Sequence, residues 1–187
     1  MGLGIDGSPW DEYEWVRLED FDDRPGQRYV TAALDALARD PLWLPGDATR
    51  VLLVDLDNLR VEPVRLRARM AMAVVLARQA DLASFAGQEG SVRRARPALE
   101  EFAETAVAVG HDHNEADEAL LAAAATVTSD EVQFLVVSND GIFARLAARG
   151  PLVVLSPGSA ALSDQLADAA ERVVDLQVIE GGVAATR

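Results

Sequence analysis

Apolar, β-rich runs alternate with helical patterns along residues 50–178, and this alternation predicts an α/β protein: a three-layer α/β/α sandwich around a central, mostly parallel sheet. Two observations carry the prediction. Val51 to Val54 form an unbroken apolar run, the signature of a strand buried on both faces, and run directly into Asp55, Asp57 and Asn58. Phe134 to Val137 repeat the pattern and run into Ser138, Asn139 and Asp140. In open α/β sheets ligands bind at the carboxyl ends of the strands, so the polar residues that close these two runs belong at the chemically active edge.

Each element follows from local sequence. Residues 1–49 read as an acidic extension, in which Asp11, Glu12, Glu14, Glu19, Asp20, Asp22 and Asp23 are interspersed with Trp10, Tyr13, Trp15 and Phe21. Such a run is a solvated tail, or a segment that shields basic residues elsewhere or docks a protein partner. The spacing of Tyr29, Val30, Ala33, Leu34 and Leu37 predicts a short helix over 27–39, and Pro41, Pro45 and Gly46 predict a linker after it. The main domain is expected over 50–180 and a tail over 181–187. Pro63, well placed in a first helical turn, opens a helix carrying Met70, Val74 and Ala77. Strands are predicted over 81–86, 105–109, 132–137 and 152–155, with a final one near 173–178. The intervening helices are predicted over 93–103, 115–125, 141–149 and 163–173, the second of them Ala-rich and capped by Asn114.

Composition narrows the chemistry. A chain of 187 residues, half of them hydrophobic, can bury a substantial core. No apolar run approaches the roughly 20 residues of a membrane span, and the acidic N-terminus is unlike a signal peptide; the expectation is a cytoplasmic protein with no membrane partner. Cysteine is absent and His111 and His113 are the only histidines, which disfavours thiolate chemistry and zinc and leaves oxygen ligands with a hard cation. The net charge of −14 opposes nucleic-acid binding. Its distribution does not: between residues 60 and 96, Arg60, Arg65, Arg67, Arg69, Arg78, Arg93, Arg94 and Arg96 face only Glu62, Asp81 and Glu89, and the chain contains no lysine.

Three separated segments deliver acids to one sheet edge, a pattern that points to a metal-dependent hydrolase. Asp55 closes a buried strand, where a carboxylate is costly unless it is hydrogen-bonded or bound to a cation; its other role would be to cap the following turn. Asp57, two residues on, faces the same way if the strand continues, and Asn58 could orient a carboxylate or form an Asx-turn. Asp117 could complete a capping box with Asn114, yet it shares a helix face with Leu120 and Leu121. Glu115 in the same turn offsets the helix dipole or acts as an outer ligand. Asp140, with Ser138 and Asn139, is either a helix cap or the third acid. His111 and His113 read as loop residues exposed to solvent.

The segments VLLVDLDNLR, NEADEALLAAAA and FLVVSNDGIFARLA, in this order, resemble the three motifs of the NYN branch of the PIN-like nucleases, over roughly residues 50–178. The resemblance implies a PIN-like, Rossmann-like fold and a metal-dependent ribonuclease that cleaves RNA, or single-stranded DNA, by direct hydrolysis. It implies Mg²⁺ or Mn²⁺ held by Asp55, Asp117 and Asp140, supported by Asp57, Asn58, Glu115, Ser138 and Asn139. Arg60, Arg65 and Arg69 would guide the phosphate backbone, 65 and 69 being one helical turn apart. Many members carry a second acid two residues beyond the third motif's Asp, where this chain has Ile142. That departure keeps open a degenerate, non-catalytic domain that binds RNA or a protein. The Asp-Leu-Asp-Asn-Leu run also resembles the first motif of haloacid-dehalogenase-type phosphatases, but those enzymes need a later lysine.

Overall fold

Val51, Leu52, Leu53 and Val54 are completely removed from solvent because strand β1 (Thr49–Asp55) lies in the middle of a sheet. In the computed structural model, which describes residues 24–39, 41–110 and 114–184, β1 pairs in parallel with β2 (Leu82–Gln88) on one side. On the other side lies β4 (Val132–Val137), also parallel. Beyond β2 runs β3 (Val107–Val109), and beyond β4 run β5 (Leu152–Ser156) and β6 (Arg172–Asp175). The order is therefore β3-β2-β1-β4-β5-β6, entirely parallel. Helices cover both faces, as a parallel sheet requires, and the protein is a three-layer α/β/α sandwich. Because the winding reverses at β1, the crevice between the ends of β1 and β4 is the topological switch point, the place where doubly wound folds bind ligands.

Strand residues alternate between two cores. Leu52, Val54, Leu135, Val137, Val153 and Leu155 point to one face. There they meet α1 (Arg24–Arg39), α2 (Pro63–Ala77), α3 (Glu89–Ala95) and α6 (Leu176–Ala184). Val51, Leu53, Phe134, Val136, Leu152 and Val154 point to the other face. It is covered by α4 (Glu115–Ala125), the 3₁₀ helix Gly141–Ala148 and α5 (Asp164–Ala169). Continuing the alternation, Asp55 and Ser138 must project onto the α4 face and Leu56 onto the α2 face.

The structure alters several expected boundaries. Helix α1 does not lead out to an independent linker: Tyr29, Val30, Ala33 and Leu37 are buried in the first core, followed by Leu42 and Trp43, and the Gln133 side chain holds the backbone of Leu44. The helix expected over 93–103 starts earlier, at Glu89, and ends at Ala95, because Pro97 supplies no backbone N–H and Glu100 takes a left-handed conformation (φ 50°). The helix expected to reach 173 stops at Ala169, since Val173 and Val174 gain a partner in β5. Residues 181–184, expected in a tail, continue α6. Gly150 is demanded by the turn into β5, where any Cβ would collide with the carbonyl oxygen of Val132.

A candidate carboxylate site at the switch point

Asp55 stands where alternation places it, 3% exposed. Its Oδ1 accepts the backbone N–H groups of Asp57 (3.0 Å) and Asn58 (3.4 Å). Its Oδ2 accepts from the Asn58 side-chain amide and from the Ser138 hydroxyl (3.0 Å). Register explains the last bond: Val54 lies opposite Val137, so Asp55 lies opposite Ser138. Asp55 thus caps the turn, the second of the roles read for it, and Asn58 orients its carboxylate. Burial pushes the Asp55 carboxyl up, the bonds from Ser138 and Asn58 pull it down, and the nearby charge of Asp57 raises it again; the net direction is upward.

Asp117 is the unusual group. It sits in the first turn of α4 with 4% of its surface exposed, beside Leu120 in the second core. Among the described residues no hydrogen-bond donor reaches its carboxylate, and it does not close a capping box with Asn114. Its carboxyl is pushed up to about 7, by burial first and then by the negative charges of Asp55, Asp140 and Asp57. Among the described residues, the charges that act on it are all of its own sign. An ionised carboxylate in such surroundings calls for a cation or a proton.

Asp140 is exposed at the end of β4. Its Oδ1 caps the 3₁₀ helix by accepting from the Ile142 N–H (2.9 Å), and its own N–H donates to the Ser138 hydroxyl (3.1 Å). Ser138 therefore links Asp55 to Asp140. Ile142 packs at the margin of the second core rather than adding an acid.

Other expected site residues are committed elsewhere. Asp57 does not continue the strand, because the chain turns after Asp55. Its carboxylate faces the β2–α3 junction, where it accepts from the Gln88 N–H (2.9 Å), the Ser91 hydroxyl (2.6 Å) and Arg60 (3.0 Å). Asn139 joins β4 to the loop after β5: its amide donates to the Gly158 carbonyl (3.2 Å) and its oxygen accepts from Ser156 (2.6 Å). Glu115 is exposed and holds the Gly110 N–H (2.8 Å), apart from the acid cluster. Arg69 is not a phosphate guide. Its side chain is 2% exposed and binds Glu180 through Nε (2.7 Å) and Nη2 (3.1 Å), with a further bond to the Pro157 carbonyl (3.1 Å). Arg65 is drawn to the same Glu180 (3.5 Å), to Glu62 (3.4 Å) and to Tyr29. Only Arg60, half-exposed, stays at the carboxyl edge. His111 and His113 lie outside the described residues. Sequence inspection missed Gln88, Ser91, Ser156 and Glu180; none sits in a distinctive motif, although the many arginines of α2 called for buried acidic partners.

The donor chemistry of these acids, carboxylate oxygens with no cationic side chain bound to Asp55, Asp117 or Asp140 among the described residues, suits a hard divalent cation such as Mg²⁺ or Mn²⁺. Spacing is less accommodating: among the described residues no three His, Cys, Asp or Glu side chains are grouped closely enough to hold a metal ion. Likewise, no helix among them is long and apolar enough to cross a membrane.

The molecule is thus a doubly wound α/β protein with mutually repelling carboxylates at its switch point, Asp55 and Asp117 buried and Asp140 exposed. No family model matches the chain, and no curated protein matches it. Among solved structures it is similar to a protein of unknown function from Vibrio parahaemolyticus, with 16% identity and a TM-score of 0.46 over 71% of this chain and 96% of that one.

Proposed function

We propose that this protein is a metal-dependent nuclease, a ribonuclease of the PIN-like, NYN type. The observation that carries the reading is Asp117, a largely buried carboxylate that no donor reaches among the described residues, raised to about 7 by burial and by three neighbouring acids. A carboxylate so desolvated among charges of its own sign is costly unless a cation or a proton joins it. Asp117, Asp140 and Asp55, which do not stand close enough to form a three-acid site as they are, would have to draw together to hold Mg²⁺ or Mn²⁺, which would supply a Lewis acid and a water of lowered pKa for phosphodiester hydrolysis.

The chain's own residues divide the remaining work. Asp55 is fixed by four donors, so Asn58 and Ser138 set the orientation in which its carboxylate is presented. Asp117 has no such restraint and offers both oxygens to an incoming cationic group. Asp140 spends one oxygen on its helix cap. Asp57 orients the loop through its own N–H on Asp55 rather than joining the acids. RNA is the favoured substrate by resemblance, with single-stranded DNA second.

A non-catalytic domain that binds RNA or protein is favoured by two observations: the dispersed acids and Ile142. Incubation with labelled RNA and single-stranded DNA under Mg²⁺, Mn²⁺ or EDTA separates the readings. Cleavage that requires metal and vanishes in Asp117→Asn supports the nuclease; no cleavage by the folded protein under any metal supports the binding domain.

A further inference from the structure

Leu56 follows Asp55 in the chain but points to the opposite face of the sheet, where it lines a cavity of about 240 Å³ at the same edge. Leu56, Leu66 and Ala95 give this cavity an apolar floor, and Arg60, Arg94 and Ser91 give it a polar rim. We propose that it is a one-nucleotide subsite, which holds a base of a single-stranded substrate against the apolar floor and the adjoining phosphate against the two guanidinium groups. The inference rests on the nuclease reading and extends it across the sheet edge.

Three features argue for this occupant. Size is the first: the volume lies just under the usual range for small-molecule sites, about 300 Å³ upward, and so admits no more than one base. Chemistry is the second. Guanidinium groups pair with phosphate bidentately and stack on base planes, and apolar surface beside them is how single strands are held without sequence readout. Glu62 also lines the cavity and pairs with Arg65 (3.4 Å), and Arg94 Nε donates to the Gly90 carbonyl (3.1 Å), so a phosphate would add to the partners Arg94 already has. Linkage is the third. Arg60 at the rim is bound by Asp57 (3.0 Å), Gln88 (3.0 Å) and Ser91 (3.2 Å), while the N–H of Asp57 bonds Asp55 (3.0 Å). A phosphate on Arg60 would therefore sit one hydrogen-bonded residue away from the acid cluster, on the far side of the edge that the substrate strand has to cross. The locally basic span 60–96 supplies the rim in a chain of net charge −14.

The test is fluorescence anisotropy with a labelled single-stranded RNA hexamer in EDTA, so that binding is read without cleavage. Arg94→Ala is expected to weaken binding about tenfold and flatten its salt dependence by about one phosphate contact. Ala95→Trp, which fills the cavity, is expected to abolish it, with circular dichroism and thermal melting verifying the fold. Unchanged affinity in both Arg94→Ala and a folded Ala95→Trp overturns the subsite, even if metal-dependent cleavage is observed. Loss of binding in both, in a protein that cleaves nothing, supports the subsite and defeats the nuclease reading instead. Helix α1 begins near this edge, since Tyr29 meets Arg65 in the first turn of α2. A synthetic peptide of residues 10–23 that binds in an Arg94-dependent manner, where RNA does not bind, would assign the cavity to the acidic segment and overturn the proposal.

Discussion

Replacing Asp117 by Asn should make the metal-free protein more stable, and the gain should depend on pH. Folding raises this carboxyl from its ordinary 3.8 to about 7. A folded state that binds its proton more tightly than the unfolded chain loses stability as pH rises through that interval. The wild type is therefore fully stable with respect to this group below about pH 4, loses ground between about pH 4 and 7, and stays at the lower level above. Each pH unit of displacement is worth about 1.4 kcal/mol, so the ionised acid costs about 2–4 kcal/mol once partial hydration of the carboxylate is allowed for. Asn has the same shape and never ionises. Urea unfolding in EDTA should show Asp117→Asn more stable by that amount at pH 8 and equal to the wild type near pH 4. For a chain of this length the pH 8 difference corresponds to about 4–16 °C in melting temperature. Equal stability at pH 8, or a difference that does not change with pH, would refute the electrostatic account of the site.

Mn²⁺ at a hundred times its Kd should stabilise the wild type by about 2.7 kcal/mol, and thermal melts of Asp117→Asn should show most of that shift lost. Ser138→Ala removes a hydroxyl that holds Asp55 and Asp140 together. It should cost about 1.5–3 kcal/mol at neutral pH and displace the Asp55 titration further upward, which carboxyl NMR would detect. Arg69→Ala strands Glu180 as a buried, unpaired charge and should cost about 3–5 kcal/mol in denaturant unfolding, whereas Arg69→Met with Glu180→Leu should recover most of that loss. Leu53→Ala, in the wholly buried middle of β1, should cost about 2–5 kcal/mol by the same measurement.

What the sequence made legible was set by how local each determinant is. The run Val51–Val54 announces a central strand because burial on both faces leaves no room for a polar residue, and the position of Asp55 and Ser138 on one face follows from simple alternation. Helix α4 matches its expected limits, since the acids of its first turn and the alanine run act within a few residues, although the side chain of Asn114 does not make the cap bond expected of it. The fate of Asp57 was not legible: two residues of strand would have put it beside Asp55, and only the position of Gln88 and Ser91, brought in by β2 and α3, turns it away. Arg69 misled for the same reason. On α2 alone it is a cation one turn from Arg65, and its partner Glu180 lies in a helix that the sequence presented only as an end. The shortened α5 and the strand β6 also needed a neighbour, β5, to decide between helix and sheet.

The pairing of Arg69 with Glu180 spans 111 residues of chain and has a consequence for biosynthesis. At about 5–20 residues per second, a ribosome that has released Arg69 needs roughly 5–20 s to release Glu180. Throughout that interval the guanidinium has no internal counter-charge and must stay hydrated, so α2 cannot settle fully on the nascent sheet. The Pro157 carbonyl, its other partner, belongs to the loop that also receives Asn139 from β4. The helix that carries Glu180 thus acts as a keystone laid after the arch, and the carboxyl edge takes its final form only once residue 180 has been released.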